Sequence, residues 1–180
     1  MNRFFFIYGI SLFLFYSCNA FHCRKNLDRL NSFLTDNWTM ETDYWEGWVI
    51  YKSDFGDTYV GLIYDSSTDS YTNGFLAKDT DSLSYSLYDN VSNKFVSIDS
   101  VDYDKPLFES FVDRVHFVID NHILSISCID SLLTITFNGC GDNQFILKKE
   151  QGGRIVLEEK YWTEIGDGWY LSKNSLNTIF

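Results

Sequence analysis

The chain has 180 residues and a net charge of −11. This length suits one domain, and the acidic charge makes the phosphate backbone of a nucleic acid a poor partner. Apolar residues make up 45%, so a core can be buried and global disorder is excluded. Aromatic residues reach 18%, which favours a β-sheet protein over a helical bundle.

The first 17 residues have the pattern of an export signal. Arg3 precedes an apolar run over residues 4–15, which is shorter than the roughly 20 residues that span a bilayer. A basic start, a short apolar run and then small residues are typical of a signal peptide. We therefore expect residues 1–17 to be removed on export. Residues 18–44 would form a tether with a short helix, and residues 45–180 a single β domain.

The signal ends at a cysteine. The segment Phe15-Tyr16-Ser17-Cys18 resembles the lipobox of bacterial lipoproteins, in the loose form rich in Phe and Ser that is found in Bacteroidota. The resemblance implies that Cys18 becomes the acylated first residue, held in a membrane by its acyl chains. Because Asn19 rather than Asp follows, it implies an outer-membrane protein that faces the periplasm. The alternative is cleavage after Ala20 and simple secretion.

Three further cysteines follow, at positions 23, 128 and 140. An exported compartment permits a disulfide, and Cys23–Cys140 is the expected pair. The strand pattern places Cys128 at the far end of a hairpin from Cys140, beyond the roughly 7 Å limit for bridging. The alternative leaves all three as thiols. The spacing contains no CxxC motif, so neither a metal site nor a cofactor is expected.

The elements begin with a helix and continue as strands. Leu27, Leu30, Phe33 and Leu34 lie at helical spacing, which predicts a short helix over residues 24–34. From residue 45 the apolar period changes to two and predicts a succession of strands. These strands cover residues 45–52, 58–64, 71–78, 82–88 and 94–98. Residues 104–112, which contain the only proline, are expected to form a helical turn.

The clearest alternation runs over residues 114–138. It predicts three strands joined by two-residue turns at 120–121 and 130–131. The first turn would pair Phe117 with Leu124 and Val115 with Ile126, with Arg114 and His116 on the solvent side. The second would pair Cys128 with Leu133, Ile126 with Ile135 and Leu124 with Phe137, so that all these apolar residues share one face.

Later strands are predicted over residues 144–148, 154–159 and 169–171. About ten short strands after one short helix indicate an all-β protein, an antiparallel meander that forms a barrel or a sandwich.

The sequence contains no catalytic constellation. G-x-S-x-G, P-loop and H-E-x-x-H motifs do not occur, so we expect no enzymatic activity. The remaining feature is its aromatic residues, and the candidate binding residues are Trp45, Trp48, Tyr59, Trp162 and Trp169. We expect a non-enzymatic envelope lipoprotein that binds a protein partner through an acidic, aromatic surface, as an inhibitor or immunity protein does. The alternative is a small barrel that carries an apolar ligand.

Overall fold

The structure is a computed structural model of the chain. It describes residues 21–37, 39–54, 56–79, 83–89, 92–100, 102–140, 143–150 and 160–176, without the side chains of residues 72–73 and 175–176. The predicted signal peptide, Cys18 and the strand predicted over residues 154–159 lie outside the described residues. The first described element is a helix, α1, over residues 21–37.

Ten antiparallel strands form one sheet in the order β5-β4-β3-β2-β1-β6-β7-β8-β10-β9. Their bounds are β1 Trp48–Lys52, β2 Thr58–Asp65, β3 Ser70–Asp79, β4 Leu83–Asp89, β5 Lys94–Ser97, β6 Ile123–Ile129, β7 Leu132–Asn138, β8 Gln144–Glu150, β9 Trp162–Gly166 and β10 Trp169–Ser172. In the described part of the chain the edge strands β5 and β9 do not pair with each other, so the sheet is open. The fold is all-β and antiparallel, of the barrel or sandwich kind that the sequence predicts.

Two helices cover the inner face of the sheet. α1 contributes Leu30 and Phe33 to the core, and α2 (Lys105–Asp120) contributes Phe111, Val115 and Val118. A short α3 (Lys173–Leu176) follows β10. The Phe111 ring requires a glycine beneath it, because a Cβ at Gly61 would lie 2.4 Å from that ring. The helices therefore fix which face of the sheet is buried.

Helix α2 corrects the sequence analysis, which placed a strand at residues 114–118. The Asp104 carboxylate accepts a hydrogen bond from the Leu107 backbone N–H at 3.0 Å, and Pro106 lies in the first turn. Both features start helices. A short window shows alternating apolar residues, but the buried positions 111, 115 and 118 have helical spacing. The predicted pairing of Phe117 with Leu124 therefore does not exist, nor does that of Val115 with Ile126.

The β6–β7 hairpin agrees with the prediction over most of its length. Cys128 pairs with Leu133 and Ile126 with Ile135. Asp130 and Ser131 have φ values of 53° and 63°, as a two-residue type I′ turn requires. Between Ser125 and Ile123 the register of the hairpin shifts, and Phe137 pairs with Ile123 instead of Leu124. A β-bulge accounts for the difference, because it adds one residue to one strand only.

The sheet has two distinct ends. Turns at residues 66–69, 130–131 and 167–168 lie at one end, which we call the hairpin end. At the other end Cys23 of α1 is bonded to Cys140, and the Asn26 side-chain amide donates to the Gly139 carbonyl at 2.8 Å. We call this the disulfide end. Strand β7 joins the two ends with seven residues, or about 20 Å.

Candidate partner-binding surface

The structure buries most of the aromatic residues that the sequence suggested for binding. Trp45 is 1% exposed and Trp169 is 0% exposed, while Trp48 and Tyr59 are each 6% exposed. Only Trp162 is half-buried, and the Lys148 ammonium lies 4.6 Å from its ring centroid. Trp45 lies in a 3-10 turn (Asp43–Trp45), so the strand predicted to start at residue 45 begins only at Trp48. These four buried rings support the core and do not form a surface.

A different set of aromatic residues covers the outer face of strands β1 to β5. Trp48 and Ile50 point into the core, so the residues that alternate with them point outward. Tyr51 is 37% exposed, Phe95 43% and Tyr71 54%. Sequence reasoning missed these residues, although the period-two pattern of β1 places Tyr51 opposite to Ile50.

A glycine brings these outer residues together. A Cβ at Gly74 would lie 3.3 Å from Tyr88, 3.6 Å from Leu62 and 4.0 Å from Phe95. The Tyr88 and Phe95 rings meet edge to face at 5.3 Å. We define the outer aromatic face by its members, which are Tyr51, Leu62, Tyr64, Tyr71, Tyr88 and Phe95. The neighbouring outer side of β6 and β7 instead carries Ser125, Ser127, Thr134 and Thr136.

Tyr64 and Tyr71 form the part of this face nearest the hairpin end. Their ring centroids are 5.4 Å apart. The Tyr64 hydroxyl donates to the Asp69 carboxylate at 2.7 Å, and this hydrogen bond raises the pKa of Tyr64 to about 12. The phenol is therefore protonated at physiological pH, with its ring fixed against the β2–β3 turn.

Three carboxylates lie at the same end of the sheet as the two tyrosines. The Glu46 carboxylate accepts hydrogen bonds from the Ser131 backbone N–H at 3.0 Å and the Cys128 thiol at 3.3 Å. The negative charge of Asp130, next to Ser131, contributes to the raised pKa of Tyr64. We call Glu46, Asp69 and Asp130 the acidic rim. All three are exposed, so they can face a partner at the hairpin end.

Asp65 has a local role at the same end. Its carboxylate accepts hydrogen bonds from the Ser67 backbone N–H at 2.9 Å, the Ser67 hydroxyl at 2.7 Å and the Thr68 hydroxyl at 3.0 Å. These bonds lower the pKa of Asp65. Asp65 therefore holds the β2–β3 turn that presents Asp69.

Arg114 holds the segment that carries Glu46. The sequence analysis placed this residue on the solvent side of a strand, but it lies on α2 and is 7% exposed. Its guanidinium lies 4.0 Å from the Tyr44 ring centroid and 4.9 Å from that of Trp48, and it donates to the Tyr44 carbonyl. Burial lowers the pKa of Arg114, which has no carboxylate within 4.0 Å in the described part of the chain. Stacking on the rings offsets part of the cost of burial.

Across the described ranges, no group of three or more His, Cys, Asp or Glu side chains could hold a metal ion. Among these same residues, no helix has the length and apolar character needed to cross a membrane. Comparisons with protein-family models, curated proteins and solved structures find no match to the chain. The functional argument therefore depends on the surface itself.

Proposed function

We propose that the protein is a non-enzymatic cell-envelope lipoprotein, inhibitor- or immunity-like, that binds a basic protein partner. The contact surface is the outer aromatic face together with the acidic rim. One observation carries the proposal: the exposed Tyr71 ring packs against Tyr64, which bonds to Asp69 and feels the negative charge of Asp130, on a chain of net charge −11.

This combination of groups fits a basic partner. Aromatic residues are enriched at the centres of protein interfaces and among the residues that dominate binding energy. A Lys or Arg side chain of the partner would stack on Tyr71 and pair with Asp69 or Asp130. The overall negative charge would also steer a basic partner and increase the association rate.

The proposed location is the outer membrane, with Cys18 acylated and the domain facing the periplasm. The Cys23–Cys140 disulfide supports export, because such bonds persist in oxidising compartments. Cys18 precedes Cys23 by only five residues, so the disulfide end would lie next to the bilayer. The hairpin end, with the acidic rim, would then point away from it. Secretion without an anchor is the alternative.

The carrier hypothesis stays a prediction from the sequence. It requires buried aromatic residues to line a ligand cavity. Phe111 instead stacks on Phe75 at 5.0 Å and on Trp48 at 6.4 Å, so these core rings contact one another. No observation on the described residues favours a bound apolar ligand.

Site-specific photocrosslinking in the native host tests the proposed surface. A benzophenone amino acid replaces Tyr71 in one variant and Thr134 in a matched control on the same outer side of the sheet. We expect one discrete crosslinked protein of basic isoelectric point from the Tyr71 variant and none from the control. Equal products at both positions, or none at either, would contradict the proposal.

The acidic rim is tested separately with the crosslinked partner after purification. Asp69→Asn combined with Asp130→Asn should lower the association rate about tenfold at low salt, within the range reported for electrostatic steering. Asp54→Asn and Asp102→Asn, made outside the rim, remove the same charge and serve as the control. An unchanged rate in the rim variant, or an equal loss in the control, would exclude a specific role for the rim.

A further inference from the structure

A second site opens at the disulfide end, far from the acidic rim. It is a pocket of about 600 Å³ between α1 and the chain that leaves α2. Lys25, Asp28 and Arg29 of α1 form one wall, and Asp120 and His122 form the other. The same helix buries Leu30 and Phe33 in the core, which fixes the backbone that carries the exposed Lys25 and Asp28 and the half-buried Arg29.

The pocket contains two charges of each sign. Lys25 and Arg29 are positive, whereas Asp28 and Asp120 are negative. Within the described residues none of the four forms an ion pair with another of them or with a further side chain. The charges of the pocket are thus balanced overall but unpaired individually.

His122 supplies a neutral group beside the two cations. Burial lowers its pKa most, and the positive charges of Arg29 and Lys25 lower it further, while Asp120 acts in the opposite direction. The imidazole is therefore neutral at pH 7 and can donate one hydrogen bond. It would do so to an anion without adding a charge.

We propose that this pocket binds a zwitterion that carries a phosphate and a primary ammonium, the chemistry of a phosphoethanolamine headgroup. Lys25 and Arg29 would hold the phosphate, with His122 as a hydrogen-bond donor. Asp28 and Asp120 would hold the ammonium. A simple anion would meet two carboxylates and a simple cation two basic groups, so neither matches the pocket as well as a zwitterion does.

The position of the pocket indicates where such a ligand would come from. Lys25 and Arg29 follow Cys23 within two turns of the helix. Cys18 precedes Cys23 by five residues in the sequence. A phosphatidylethanolamine headgroup in the membrane is thus one source, and a soluble phosphoethanolamine ester is the other. The membrane source depends on the proposed anchorage, whereas binding of the zwitterion itself does not.

Calorimetry on the full chain in non-ionic detergent tests the site, with glycerophosphoethanolamine as the probe. Lys25→Gln combined with Arg29→Gln should weaken binding at least tenfold, and so should Asp28→Asn combined with Asp120→Asn. Arg24→Gln removes a charge from the same helix outside the pocket and should bind normally. No binding by the unaltered chain, or an equal loss in the Arg24 variant, would overturn the proposal.

Three further probes separate the parts of the ligand. Glycerophosphate, ethanolamine and glycerophosphocholine should each bind at least tenfold more weakly, because each lacks the phosphate or the hydrogen-bonding ammonium. Glycerophosphate binding as tightly as the zwitterion would overturn the ammonium assignment. Thermal unfolding of every variant identifies those that fail to fold. The three probes are measured on the unaltered chain, so they test the proposal even if a variant does not fold.

Vesicle flotation of the full-length Cys18→Ser chain identifies the source of the ligand. Greater binding to phosphatidylethanolamine vesicles than to phosphatidylcholine vesicles would identify the membrane headgroup. Equal binding to both, together with binding of the soluble probe, would identify a soluble ester. Neither result depends on the partner-binding surface, so failure here is distinguishable from failure of the proposed function.

Discussion

At the scale of single residues, two adjacent positions on β6 have opposite surroundings. Ile126 is 0% exposed and pairs with Ile50 of β1 and Ile135 of β7. Ser125 is half-buried and points to the outer side, next to Tyr51 and Thr136. The strand therefore separates core from surface within one residue.

We expect Ile126→Asp to unfold the domain and Ser125→Asp to be tolerated. An unpaired carboxylate in the core costs several kcal/mol, on the order of the total stability of a domain. Circular dichroism during thermal unfolding measures both variants. The same unfolding temperature for the two would contradict the β6 register.

A titration tests the hydrogen bond between Tyr64 and Asp69. The bond raises the pKa of Tyr64 from 10.0 to about 12, so it is intact below pH 10 and is lost as the pH rises through 12. Asp69→Asn should bring the pKa of Tyr64 back toward 10, measured by NMR on ¹³C-labelled tyrosine. Asp54→Asn is the matched control, because it removes the same charge from an exposed position at the disulfide end, away from the β2–β3 turn. If the Tyr64 pKa stays near 12 in the Asp69 variant, the hydrogen bond is not its cause.

At the scale of elements, α2 depends on signals at its start. Asp104 caps the helix and Pro106 fits its first turn. Asp104→Ala should lower the free energy of unfolding by about 1 kcal/mol, as loss of an N-cap does. Asp102→Ala, an exposed position two residues earlier, should change it little. Denaturant unfolding compares the two, and equal effects would argue against a capped helix that begins here.

The same helix shows what the sequence could predict and what it could not. The β6–β7 pairs were predictable because the Asp130-Ser131 turn and the alternating residues agree on one register. The strand predicted at residues 114–118 failed because five alternating residues fit a strand and a helix face equally, and the cap lies ten residues earlier. The bulge between Ile123 and Ser125 could not be predicted, because the alternation of apolar residues favours Leu124, not Ile123, as the partner of Phe137.

The candidate surface was predicted in its chemistry but not in its residues. Acidity and aromatic content are properties of composition, so a sequence displays them directly. Whether a given ring is buried depends on which face α1 and α2 cover. The Trp48 ring stacks on Phe111 of α2 and is buried, while the Tyr71 ring packs against Tyr64 and is exposed. To predict which of the two rings is buried, one must know where the helices lie on the sheet.

At the scale of the whole molecule, the two ends of the sheet differ in the groups that they expose, so the domain has a direction. α1 starts at the disulfide end, and the acidic rim lies at the hairpin end, about the length of a strand away. Carboxylates also lie near the disulfide end, at Asp57 and Asp79 beside Lys52. The two ends are therefore distinguished by the exposed tyrosines together with the acidic rim, and not by acidity alone.

The proposed anchor makes a direct prediction about the native protein. Its intact mass should correspond to a chain that begins at Cys18 and carries a lipid-sized increment. Cys18→Ser should lose that increment and appear in the soluble fraction. An unmodified chain that begins at Phe21 would instead establish simple secretion.

The disulfide also determines how the domain would respond to mechanical force. Cys23 and Cys140 are separated by 117 residues, which include α1, α2 and seven of the ten strands. If the chain were pulled by its two ends, tension would pass from Cys23 directly to Cys140 and bypass everything between them. Only the segments outside the bridge could extend, and reduction of the bond would add roughly 400 Å of contour length at about 3.5 Å per residue. Tension applied at the two ends of the chain would therefore load the covalent bridge before it loads the part of the core between Cys23 and Cys140.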